Sequence, residues 1–201
     1  DSMLIDQTRT LSFSVKSDGG NREQHHYSYF IDFHTKFKIV SLSIQNDFLF
    51  DQTKGIYVNG PLAYYDSAVG YYRNTNFERK WERETYVELF DEEANRLIAQ
   101  QAGLRIFGGM TKYYPEKSLR LISRKEYGTG RFNADIFNEG KKKYKQFVLR
   151  HSGNDYRSTR FKDALLTSLA AESGLDVTRS SPAHLFVNSE YWGVYNIREK
   201  I

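Results

Sequence analysis

Two apolar runs near the end of the chain, Ala183-His184-Leu185-Phe186-Val187 and Tyr191-Trp192-Gly193-Val194-Tyr195-Asn196-Ile197, are joined by the short polar segment Asn188-Ser189-Glu190. Apolar, aromatic-rich runs of this length about a turn read as a β-hairpin. A hairpin is marginal by itself in water, so the rest of the chain must supply the sheet on which it is built. The second run stops in Arg198-Glu199-Lys200-Ile201 with no polar tail, which predicts a fragment of a longer protein.

The same pattern recurs upstream. Thr10-Leu11-Ser12-Phe13-Ser14-Val15-Lys16 alternates cleanly, Ser17-Asp18-Gly19-Gly20-Asn21 reads as a turn, and Tyr27-Ser28-Tyr29-Phe30-Ile31 as a returning strand. Lys38 to Ile44 reads as a further strand, and Asn46-Asp47 as the cap of a helical turn through Phe50. Tyr64 to Arg83 has no sustained period and reads as a long loop with one short helix. Thr85 to Phe90 and Leu97 to Phe107 flank the turn Asp91 to Asn95; Ser118 to Ile122 and Gln146 to Arg150 follow as strands. Phe161, Ala164, Leu165, Ser168 and Leu169 then fall at i, i+3, i+4, i+7 and i+8, the stripe of a helix that Ser158 or Asp155 caps and Gly174 ends.

With 201 residues and 39% hydrophobic content the chain can bury a core, and its length suits one domain plus part of a second. The charge is +4 from 29 basic and 25 acidic residues, and the basic residues are scattered, which argues against nucleic acid while leaving phosphate-bearing ligands open. With no cysteine, disulfides, thiolate nucleophiles and Cys-ligated zinc are excluded. The five histidines show no metal-ligand spacing, so no metal is assigned to this chain. No run approaches the ~20 apolar residues that a membrane span needs.

Four blocks carry a resemblance: Gly103-Leu104-Arg105-Ile106-Phe107-Gly108-Gly109, Pro115-Glu116-Lys117-Ser118-Leu119-Arg120-Leu121, Leu149 to Asp155 with Phe161 to Leu165, and the closing hairpin. In this order they resemble the spore-coat protein H-like (CotH) family of atypical kinases, over about residues 39–201. The resemblance implies an ATP- and Mg-dependent phosphotransferase acting on secreted or surface proteins, hence an extracytoplasmic location. It also implies that the catalytic base and the magnesium-binding aspartate lie beyond this stretch, so no catalytic residue is assigned here.

The succession strand, Gly-Gly turn, strand, strand, helix, strand, strand from Ala99 onward is that of a protein-kinase N-lobe. The expected fold is therefore α+β, an antiparallel sheet with one principal helix preceded by a β-hairpin. The expected domains are a hairpin over 1–34, read through the resemblance as the end of an immunoglobulin-like module or a strand pair docked on the main domain, and a CotH-like region over 35–201, truncated before the C-lobe.

Phosphate-cradling loops need glycine because a Cβ blocks close approach of backbone N–H groups, which makes Gly108 and Gly109 candidates beside the alternative of a plain tight turn. A kinase also needs a cation over the phosphates, paired with a helix carboxylate. Arg150 and Lys117 are the alternatives for the cation, and Asp163 for the carboxylate. Asp155 competes with Asp163, or simply caps the helix. Through the resemblance, Glu199 begins a hinge strand whose backbone reads adenine. Lys141-Lys142-Lys143 reads as a solvated turn. The rival to a kinase fragment is a non-catalytic surface module, structural, adhesive or glycan-binding, with Tyr64-Tyr65 and Tyr71-Tyr72 as stacking faces.

Overall fold

A computed structural model describes residues 4–16 and 22–200. The alternating run at the start forms β1 (Arg9–Lys16), which pairs antiparallel with β2 (Arg22–Tyr29) from Arg9↔Tyr29 to Lys16↔Arg22. The turn expected at 17–21 lies outside the described residues. This ribbon docks through polar contacts: Ser28 Oγ donates to Glu88 Oε2 at 2.6 Å, and the Thr10 amide donates to Ser189 Oγ at 2.8 Å.

The next strands build the main body. They are β3 (Lys38–Ser43), then, after the short helix α1 (Asn46–Phe50), the small ribbon β4 (Tyr64–Asp66) and β5 (Tyr71–Arg73), followed by β6 (Arg83–Phe90), β7 (Arg96–Phe107), β8 (Ser118–Ile122) and β9 (Gln146–Arg150). Helix α2 (Lys162–Glu172) intervenes before β10 (Ser180–Val187) and β11 (Glu190–Glu199). Seven strands, in the order β10-β11-β9-β8-β7-β6-β3, close on themselves as a barrel. All neighbours are antiparallel except the closing pair: β10 runs parallel to β3, from Ala183↔Lys38 to Val187↔Leu42.

Closure gives the apolar alternation one destination. Val40 and Leu42, Val87 and Leu89, Leu119 and Leu121, Phe147 and Leu149, and Leu185 and Val187 are fully or almost fully buried members of one core. These are i, i+2 pairs, the spacing that puts both side chains on one face of a strand. On the outer side, Ile39, Phe90 and Phe186 form a second cluster, covered by Phe30 and Phe33 from the segment after β2.

The α+β expectation is thus corrected. The protein is mostly β, about 40% strand and 15% helix, and it is built on a closed barrel rather than an open sheet covered by one principal helix. The physical reason lies in the edges. An open sheet needs a helix over its apolar face, whereas a sheet that pairs its two edges covers that face with its own side chains. Helix α2 has no buried residue; Phe161 is 53% exposed and Leu165 45%. The expected apolar stripe therefore does not pack on the sheet. The end of α2 matches the expectation, Gly174 following the last turn with φ +77°, whereas its start does not: Phe161, not Ser158 or Asp155, holds the cap position without a side-chain cap, and the Lys162 amide donates to Asp155 Oδ2 at 3.1 Å.

Candidate functional site

The loop between β7 and β8 opens a cleft of about 690 Å³. Gly108, at φ +123°, and Gly109 make its lip, and a 3-10 turn over Met110–Tyr113 follows at once. A Cβ at Gly108 would meet Thr111 Oγ1 at 2.8 Å in a backbone conformation that L-residues avoid, so both the turn and its closeness require glycine.

Six cations line this cleft, Arg79, Lys80, Arg105, Lys112, Arg120 and Arg150, against the single carboxylate of Glu78. Glu78 is already engaged: it accepts from the Thr75 amide and from the Tyr113 hydroxyl. Among the described residues, Arg79, Lys80, Lys112 and Arg120 have no ion-pair partner within 4 Å. Arg105 is tied from behind, its Nε 2.7 Å from Glu82 Oε2. Burial opposes the charge on Glu82, yet hydrogen bonds from Arg124 and Tyr127 and the charge of Arg105 outweigh it and hold its carboxyl below the ordinary range. The guanidinium of Arg120 is pushed down by burial and then by repulsion from Arg105 and Arg124. The cleft therefore carries uncompensated positive charge in partly desolvated surroundings, an arrangement that favours a multiply charged anion.

Arg150 stands at the end of β9, and its Nε lies 3.1 Å from Asp163 Oδ2 in the first turn of α2. Its N–H is not directed along that contact, so the pair is an ion contact rather than an aligned hydrogen bond. Arg198 on β11 grips the same carboxylate oxygen at 2.8 Å through Nη1. Behind Arg150 the chain is tightly folded. Ser152 and Gly153 both have positive φ, and a Cβ on Gly153 would come within 2.9 Å of Arg150 Nη2. Fully buried His151 accepts from the Gly153 amide at Nδ1 (3.0 Å), and its Nε2 lies 3.3 Å from the carbonyl of Thr111, which sets the Nε2–H tautomer. Burial holds its pKa down, against the opposing effect of the Thr111 carbonyl. One neutral imidazole thus links the glycine loop to the end of β9.

The residues singled out in the sequence divide. Gly108, Gly109 and Arg150 line one cleft, and Asp163 holds Arg150 at its edge. Lys117 is not brought to this cleft. Its ammonium is buried beneath the rings of Phe77 and Tyr57, 4.2 and 5.2 Å from their centroids, and donates to the carbonyls of Lys112 at 2.8 Å and Tyr114 at 2.9 Å. Burial pushes its pKa down to about 8. Glu199 also lies elsewhere: its side chain pairs with Lys141 and Arg179, and its amide donates to the Arg179 carbonyl at 2.9 Å. Asp155 does not occupy the cap position of α2, which is Phe161 and has no side-chain cap; its carboxylate accepts from Ser158, Thr159 and Lys162, and these bonds, the Ser158 hydroxyl first, hold it far below the usual range.

Sequence reading missed Arg198 as the second partner of Asp163, and it missed the convergence of Arg79, Lys80, Arg105 and Arg120. Arg79-Lys80, Arg105 and Arg120 come from three separate segments, gathered by the pairing of β6, β7 and β8. Arg105 and Arg120 face each other across β7 and β8 in register, a signal available once those two strands are paired.

Residues 104–201 match the family model described as CotH kinase protein. Over this segment the chain is CotH-like. The match begins within β7 and runs through β11, so it holds Arg105, Gly108, Gly109, Lys112, Arg120, Arg150 and Asp163, whereas Glu78, Arg79 and Lys80, and the strands β3 and β6 that complete the barrel, lie before it. The resemblance read from the sequence over 39–103 is outside the matched segment. No curated protein matches the chain.

Proposed function

We propose that this chain is the ATP-binding part of a CotH-like atypical protein kinase, holding the nucleotide by its phosphates. The observation that carries this reading is the cleft under Gly108 and Gly109, where six cations face one engaged carboxylate. In such a site the glycine loop lets backbone N–H groups approach phosphate oxygens, and Arg150, oriented by Asp163, supplies a forked cation over them. Magnesium would arrive with the nucleotide as its counter-ion. The family match supports the kinase assignment, and the resemblance supports a secreted or surface protein as acceptor.

Phosphoryl transfer depends on positioning together with metal-borne charge neutralisation. Residues 1–201 present the phosphate-binding groups and are expected to bind without transferring. The test is calorimetric titration of the chain with Mg·ATP, with inorganic tripolyphosphate as competitor. Binding is expected, with tripolyphosphate displacing ATP. Arg150→Ala should weaken it at least about tenfold, the equivalent of ~1.4 kcal/mol. Asp163→Asn, which leaves the cation but frees its orientation, should fall between. No binding at millimolar Mg·ATP, or undiminished binding in Arg150→Ala, overturns the reading.

A further inference from the structure

A second cleft, of about 660 Å³, lies between the β4–β5 ribbon and the segment around Tyr113. Its chemistry is opposite to that of the first. Tyr65, Tyr71, Tyr72 and Tyr113 line it together with Tyr57, Tyr114 and Phe77, and Lys117 is its one charged lining residue. That lysine is out of reach of a ligand's charge, because its ammonium is committed to the carbonyls of Lys112 and Tyr114.

The walls are braced. Tyr71 packs against Tyr113 at a tilt of 43° with ring centroids 4.4 Å apart, and Tyr113 meets Phe77 edge-on at 5.4 Å. Tyr65 and Tyr72 face each other directly across the ribbon, 5.5 Å apart and edge to face, yet remain 59% and 45% exposed. Behind the lining residue Gln52, the side-chain amide of buried Asn76 donates to the carbonyls of Gln52 at 2.9 Å and Gly55 at 3.0 Å. Gly60, at φ +81°, leaves the space that Asn76 fills; a Cβ there would stand 2.1 Å from Asn76 Oδ1. On the rim, the side-chain amides of Gln52 and Asn59 are exposed and make no protein hydrogen bond among the described residues.

We infer that this tyrosine-lined cleft binds a neutral β-linked pyranose oligosaccharide. With Lys117, its one charged lining group, committed to backbone carbonyls, the cleft offers no free charge to a phosphate or a cation. Braced aromatic rings with open faces suit a ligand that is apolar on its flat side, and a β-linked glucose-type pyranose presents its axial C–H groups on both faces. A free carboxamide offers a donor and an acceptor together, which match adjacent hydroxyls. A proline-rich peptide, the other ligand of tyrosine-walled grooves, offers acceptors only and would leave both amide oxygens unpaired. The inference uses none of the residues of the phosphate cleft and stands or falls apart from it.

The test is calorimetric titration of the whole chain with cellohexaose and with chitohexaose, and with a proline decapeptide as the competing ligand class. At least one of the two sugars is expected to bind with Kd below about 1 mM, and Tyr65→Ala and Tyr72→Ala are each expected to weaken it about tenfold. Both rings are exposed, so the urea midpoint of each variant should stay at that of the unsubstituted chain, separating lost contact from lost fold. The inference is overturned if neither sugar binds, if binding survives both substitutions, or if only the proline peptide binds.

Discussion

His151 shows how one side chain can couple parts that the sequence keeps 40 positions apart, since its two ring nitrogens contact Gly153 and Thr111. Burial disfavours the charged ring, so its folded pKa lies below the ordinary 6.5. The sign follows from proton counting. Between the folded pKa and 6.5 the unfolded chain binds more protons than the folded one, so stability is full above 6.5 and declines as pH falls below it. His26 and His184 are shifted down for the same first reason and add to the slope. Urea unfolding should therefore give a lower midpoint at pH 5.5 than at pH 7.5, and His151→Gln should flatten that dependence in part. An unchanged slope in His151→Gln would mean that the ring takes up its proton in place.

At the scale of elements, α2 separates local from tertiary information. Its stop and its 3.6-residue period were legible, because Gly174 and the Phe161–Leu169 spacing act through the helix's own backbone. What the period could not say is whether an apolar stripe finds a surface. That depends on a sheet which closes on itself and offers none. Leu165→Ala is accordingly expected to cost less than about 0.5 kcal/mol in urea unfolding, the ordinary surface value, rather than the ~2–5 kcal/mol of a packed leucine. A loss in the upper range would show that α2 is covered in solution. The β4–β5 ribbon was illegible for the converse reason: three-residue strands, Tyr64–Asp66 and Tyr71–Arg73, are too short to display alternation. In the candidate site, the glycines, Arg150 and Asp163 could be found because they cluster around strand and helix ends. Arg79, Lys80 and Arg198 could not, since each joins the site only through a strand pairing or loop path that no local pattern records.

For the whole molecule, the decisive contact is the parallel seam between β3 and β10. Individual strands were visible in sequence, but nothing local announces that residues near 40 meet residues near 185. Leu185, fully buried on that seam in register with Val40, tests it. Leu185→Ala should cost about 2–5 kcal/mol, read as a lowered urea midpoint, and a cost below about 0.5 kcal/mol would show that the barrel does not close there. The seam also sets a timetable. Lys38 and Ala183 are register partners 183 − 38 = 145 positions apart. During synthesis, at about 5–20 residues per second, β3 waits roughly 7–30 s for its parallel neighbour. Throughout that interval one edge of β3 offers unpaired amides and carbonyls to any passing strand. The antiparallel hairpins can form as they emerge, whereas the barrel has a last step that only the finished β10 can take. Its loop closure is paid late and in a single instalment, which makes this a chain whose folding speed is set by topology rather than by the stability of its parts.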